Sequence, residues 1–186
     1  TTEIYTLSLH DALPIYRLNT REAYYEGAFG SGRDVLYVSI MSQDTLKEMK
    51  PLLELARDRK TRIRVLTWHR DTPKAAIECF RRHIAENADK PTRTVEQVKR
   101  AATDWRRVEK DYSNVTVREY ESSPTMQGLI VDGHWAVIEL LPYATHKNDR
   151  PALVLTPKAD PELFDLFKAR FEAMWSESQD QGSDSV

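Results

Sequence analysis

The sequence predicts an α/β sandwich, a mixed β-sheet flanked by helices. Three observations carry this. Two β-branched apolar runs, "DVLYVSIM" and "TRIRVLTWH", are separated by an amphipathic stretch, which makes a βαβ unit with a parallel strand pair. A long helical region follows, and then three or four strand-like runs, two of them joined at Asp132-Gly133. The chain then ends its ordered part on "DPELFDLFKARFEAMW", which carries a helical apolar stripe.

Taken in order, "REAYYEGAFGSG" (21–32) reads as a helix running into a Gly-Ser-Gly turn. "DVLYVSIM" (34–41) is a buried strand. The next stretch places Leu46, Met49, Leu52, Leu53 and Ala56 on one helical stripe, with a kink or restart expected near Pro51. "TRIRVLTWH" (61–69) is the second strand. Residues 70–112 form the long helical region, with one stripe at Ala76, Ile77, Phe80 and Ile84. A second stripe runs through Val95, Val98, Ala102, Trp105, Val108 and Tyr112, and "NADKP" (87–91) breaks the two. "NVTVREYES" (114–122) is a third strand, "TMQGLIVDGHWAVIELLPY" (125–143) a hairpin and "PALVLTP" (151–157) a last strand. The closing helix has Asp160 as N-cap and Pro161 at N1, with Leu163, Phe164, Phe167, Phe171, Met174 and Trp175 on its core face. The tail, 179–186, is polar and expected to be disordered.

The first fifteen residues, "TTEIYTLSLHDALPI", read differently. They alternate like a strand, but back-translate codon for codon into a string resembling a short-read sequencing adapter. The expectation is a non-native segment over 1–15, a domain over 16–178 and an upstream domain lost with the true N-terminus. His10 and Asp11 therefore enter no site argument. Without Glu3 and Asp11 the acids fall from 29 to 27 against 27 bases, so the remainder is about neutral. That balance gives no strong nucleic-acid signal, since dedicated binders carry a basic excess. No apolar run reaches membrane-span length. Cys79 is the single cysteine, so no internal disulfide and no Cys-rich zinc site can form, and a reducing, cytoplasmic setting is favoured. "GAFGSG" lacks the Lys-Ser/Thr of a P-loop and precedes its strand. No metal or cofactor is called for.

Three stretches resemble the phospholipase D-like family: "DVLYVSIMSQDTLKEMKPLLELARDRKTRIRVL", "VTVREYESSPTMQGLIVDGHWAVI" and "RPALVLTPKADPELFDLFKARFEAMW". Together they span 34–175. The second stretch falls where the active family carries His-x-Lys-x4-Asp. Here Thr125 stands at the His, Gln127 at the Lys, and Asp132 at the Asp. The resemblance implies a degenerate, non-catalytic branch. A Thr hydroxyl is a weak nucleophile without a base, and Gln has no charge to hold phosphate. None of His69, His83, His134 or His146 begins a His-x-Lys.

The expected groove gathers Ser42, His69 and Arg70 at strand ends, where open α/β sheets bind ligands, together with Thr125, Gln127 and Asp132, and His146 and Lys147 of "YATHKNDR". Simpler roles stand beside these. Trp68 packs and His69 caps a loop, Asp132 only shapes its turn, and 143–150 is a solvated loop. The cations Arg57, Arg59, Lys60, Arg62 and Arg64 read as a solvated helix face because acids interleave them. The function expected is a regulatory or ligand-sensing domain that takes a small polar ligand or a protein partner. A divergent phosphodiesterase using His69 or His146, across a homodimer, and a nucleic-acid-binding module are the alternatives.

Overall fold

The computed structural model describes residues 21–39, 45–77, 80, 91–124, 126–140 and 152–178. Its elements are α1 (Arg21–Phe29), β1 (Asp34–Ser39), α2 (Thr45–Asp58), β2 (Arg62–Trp68), α3 (Pro91–Asp111), β3 (Val115–Tyr120), β4 (Met126–Val131), β5 (Trp135–Leu140), β6 (Ala152–Leu155) and α4 (Pro161–Glu177). Residues 74–77 are also helical. The expectations for 1–15, Cys79, Ile84 and 179–186 fall outside the described residues.

The six strands form one sheet in the order β3-β2-β1-β4-β5-β6. The β-branched runs behave as expected: β1 pairs parallel to β2 from Asp34–Arg62 to Ser39–Thr67, and β2 pairs parallel to β3. β4 enters beside β1 antiparallel, and β5 and β6 continue antiparallel. The sheet is therefore mixed, and the sandwich predicted from the element order is the one found.

Alternation divides the core in two. One face packs Val35, Tyr37, Ile63, Val65, Val117 and Leu129 against Phe29 of α1, Met49 and Leu53 of α2, and Trp105 and Val108 of α3. The other face packs Leu36, Leu66, Trp68, Ile130 and Ile138 against Ile77, Phe80 and the α4 residues Phe164, Phe171 and Met174. The outer edge of β3 is covered by α3. Val117 donates its N–H to Glu109 Oε1 at 2.8 Å and accepts from Arg106 Nη1 at 2.9 Å, so an Arg–Glu pair stands in for a neighbouring strand. No helix among the described residues is long and apolar enough to cross a membrane.

Four local expectations are corrected. α2 runs unbroken through Pro51, which is exposed, while Met49, Leu53 and Ala56 keep one continuous buried stripe across it. The helical region starts at 74 rather than 70. Residues 69–72 form a turn in which the Thr72 hydroxyl donates to the His69 carbonyl at 2.6 Å, and Pro73 follows. Asp160 occupies the N-cap position without a side-chain capping bond, its carboxylate accepting instead from the Thr156 N–H at 3.5 Å. Leu163 is 37% exposed, because α4 turns its Phe164–Phe171–Met174 line to the sheet.

Candidate functional site

On the α3 side of the sheet the inward series turns polar at one end. On β1 the core residues Val35 and Tyr37 lead to Ser39. On β2 Ile63 and Val65 lead to Thr67, and on β3 Val115 and Val117 lead to Glu119. β4 runs the other way, so Gln127 precedes Leu129 and Val131, and on β5 Trp135 and Val137 lead to Glu139. Ser39 pairs with Thr67, Thr67 with Glu119, and Gln127 with Glu139. Ser39 lies one residue beyond the Val38–Gly128 pair and so stands opposite Gln127. The result is one polar rung across five strands, about 19 Å long at the usual spacing of about 4.8 Å. It sits at the carboxyl ends of the parallel strands, where such sheets bind ligands.

Ser39, Thr67, Glu119 and Glu139 are each no more than 5% exposed, so water does not satisfy them and partners must. Glu119 accepts from the Arg70 backbone N–H at 3.1 Å and from Arg70 Nε at 3.2 Å, and forms a further ion pair with Arg70 Nη2. Arg106 Nε lies 3.4 Å from the same carboxylate. Burial pushes the Glu119 pKa up, but the Arg70 hydrogen bonds and charge, with Arg106, outweigh this and hold it below its ordinary value. Gln127 Nε2 donates to Glu139 Oε2. Ser39 Oγ accepts from Trp105 Nε1 at 3.0 Å. The Thr67 hydroxyl is buried with no partner among the described residues.

Of the residues expected in a groove, Arg70, His69 and Gln127 lie at this end. His69 Nδ1 accepts from the Asp71 N–H at 3.1 Å, and Trp68 is fully buried against Phe80, 5.2 Å between ring centroids. Asp132 lies at the other end of β4, five residues from Gln127 and about 16 Å along the strand. There its N–H donates to the Asp34 carbonyl at 2.9 Å, and its carboxylate pairs with Lys168 Nζ at 2.6 Å. The turn is built as its sequence implies, with Gly133 at φ 65°. Ser42, Thr125, His146 and Lys147 fall outside the described residues.

Sequence reasoning missed Ser39, Thr67, Arg106, Glu119 and Glu139. The signal was present as a polar residue closing each apolar period-2 series, but it becomes a site only once the register aligns the strand ends. Among the described residues no group of three or more His, Cys, Asp or Glu is placed to hold a metal. The rung is a hydrogen-bonding surface that lacks an imidazole or ammonium of its own among those residues.

No family model and no curated protein sequence matches the chain. Solved structures do. TrmBL2, an archaeal chromatin protein described as showing a novel mode of DNA binding, matches at 13% identity and TM-score 0.52, over 95% of this chain and 56% of its own. The chain thus spans little more than half of TrmBL2. NucT from Helicobacter pylori matches at 14% identity and TM-score 0.51, over 90% of this chain and 96% of its own. Nuc from Salmonella typhimurium, a phospholipase D family member, matches at 15% identity and TM-score 0.45, over 85% and 88%. At identities this low the likeness bears on the fold alone: like TrmBL2 and NucT, which match above half on the TM-score scale, this chain is an α/β fold, here a six-stranded mixed sheet flanked by helices.

Proposed function

We propose that this domain is a non-catalytic phospholipase D-like module with a regulatory or ligand-sensing role. The observation that carries the reading is the occupation of the rung. The amide standing where the resemblance places a lysine is engaged by the Glu139 carboxylate, and the two guanidiniums at that end are engaged by Glu119. A phosphodiester approaching Gln127 meets an amide already bonded to a carboxylate, with no uncommitted cation among the described rung residues to hold its charge. The neighbour TrmBL2, by its description, puts a related fold in a DNA-binding protein, which supports a binding use over a hydrolytic one.

The test is turnover of a generic chromogenic phosphodiester by the full chain, beside His69→Ala and His146→Ala variants. The reading expects all three to match the buffer rate. Turnover by the parent chain that either substitution abolishes would establish the divergent phosphodiesterase instead.

A further inference from the structure

The end of the sheet opposite the rung carries a second surface. Residues 30–33, 59–61 and 113–114 are bound into one unit by Thr61, which is fully buried. Its hydroxyl donates to the Phe29 carbonyl at 2.8 Å and accepts the Gly32 N–H at 3.0 Å. Asn114 Nδ2 donates to the Thr61 carbonyl at 2.8 Å, and the Ile63 N–H to the Asn114 carbonyl at 2.9 Å. Gly32 and Lys60 both take left-handed backbone, at φ 68° and φ 59°. A Cβ on Gly32 would lie 3.3 Å from the Arg59 carbonyl, so the two turns are in close contact.

From this fixed backbone Arg33, Arg59 and Lys60 project into solvent. The cations around them are neutralised: Arg57 by Glu54 and Asp58, Arg62 by Asp34, Arg64 by Glu172, and Lys168 by Asp132. At the end of α3, Lys110 and Asp111 offset each other. Arg33, Arg59 and Lys60 have no ion-pair partner among the described residues. A chain with a net charge of −2 therefore presents three unpaired cations on two clamped turns, a local excess of two positive charges once Glu54 and Asp58 are both set against Arg57. Beside them is a cleft of about 410 Å³ lined by Asp34, Arg62, Ile63, Arg64, Ser113, Asn114 and Thr116.

We propose that this end binds the phosphate backbone of duplex nucleic acid without reading its sequence. Charge on a preorganised backbone, with Ser31, Ser113 and Asn114 beside it as hydrogen-bonding groups, suits phosphate oxygens. These turns expose no aromatic ring, which a single strand would need for stacking. They expose no large apolar side chain, which membrane insertion or a protein anchor would need. The surface is remote from the rung, so the proposal goes beyond the non-catalytic reading and neither depends on the other.

The experiment is a fluorescence-anisotropy titration of the full chain with a labelled 30-base-pair DNA duplex of arbitrary sequence, from 25 to 200 mM salt. Three phosphate contacts give a slope of log K against log salt of about −3. The triple variant Arg33→Gln, Arg59→Gln, Lys60→Asn, whose Asn tolerates the left-handed backbone, removes the charge and leaves the Thr61 clamp. Circular dichroism and melting confirm its fold. The proposal expects at least a tenfold loss of binding at 25 mM salt and a slope near zero. An Arg107→Gln control on α3 binds as the parent does. No duplex binding by the parent at 25 mM salt, unchanged binding by the triple variant, an equal loss in the control, or tighter binding to phosphatidylserine vesicles than to the duplex would each overturn it.

Discussion

Glu119 shows how much one side chain ties together at the site. It is 1% exposed and joins the start of the β2–α turn, through Arg70, to α3, through Arg106. Glu119→Gln removes the charge and leaves two guanidiniums facing an amide, a loss of about 3 kcal/mol by analogy with broken buried pairs. The pH dependence has a definite sign. Its folded pKa lies below the ordinary 4.5, so its contribution is fully present above pH 4.5 and is lost as pH falls through the folded value. Urea unfolding at pH 7 should therefore separate parent and variant fully, and the gap should close well below pH 4.5. At this scale strand ends and family resemblance singled out Arg70 and Gln127, which lie at the rung's end of the sheet. It did not show Glu119, because a Glu beside Arg118 in "VREYE" looks like a surface charge until period-2 parity places it inward.

Elements were more legible than residues. Among the described residues the long apolar periods became the strands and helices they implied, because burial on one or both faces fixes the period. The misses came where local chemistry competes with packing. Pro51 is tolerated within α2, and Asp160 prefers the Thr156 turn to its own helix. Gly128 is the clearest case of a constraint hidden from sequence. It sits inside β4 at φ 146°, where an added Cβ would fall 2.1 Å from the Val137 carbonyl oxygen across the β4–β5 pair. Gly128→Ala should shift backbone in the centre of the sheet and cost on the order of 3 kcal/mol or more, read as a lowered denaturation midpoint with an unchanged denaturant slope. A variant as stable as the parent would show that the β4–β5 approach can relax.

At the scale of the whole molecule, the sheet has two chemically different ends. The carboxyl ends of the parallel strands bear the rung of hydroxyls, amide and carboxylates, and the other end bears the uncompensated cations on the Thr61-clamped turns. The sequence placed Gln127 and Asp132 in one groove, since they share one motif. A strand between them puts them at opposite ends, which only register could reveal. The central claim is that the strand-end site no longer receives a phosphodiester. Amide chemical-shift mapping of the full chain titrated with a thymidine dinucleotide tests this most directly. The account predicts no saturable shift at Ser39, Thr67, Glu119, Gln127 or Glu139, whatever occurs near Gly32 and Thr61. Saturable shifts centred on Gln127 and Glu139 would contradict it.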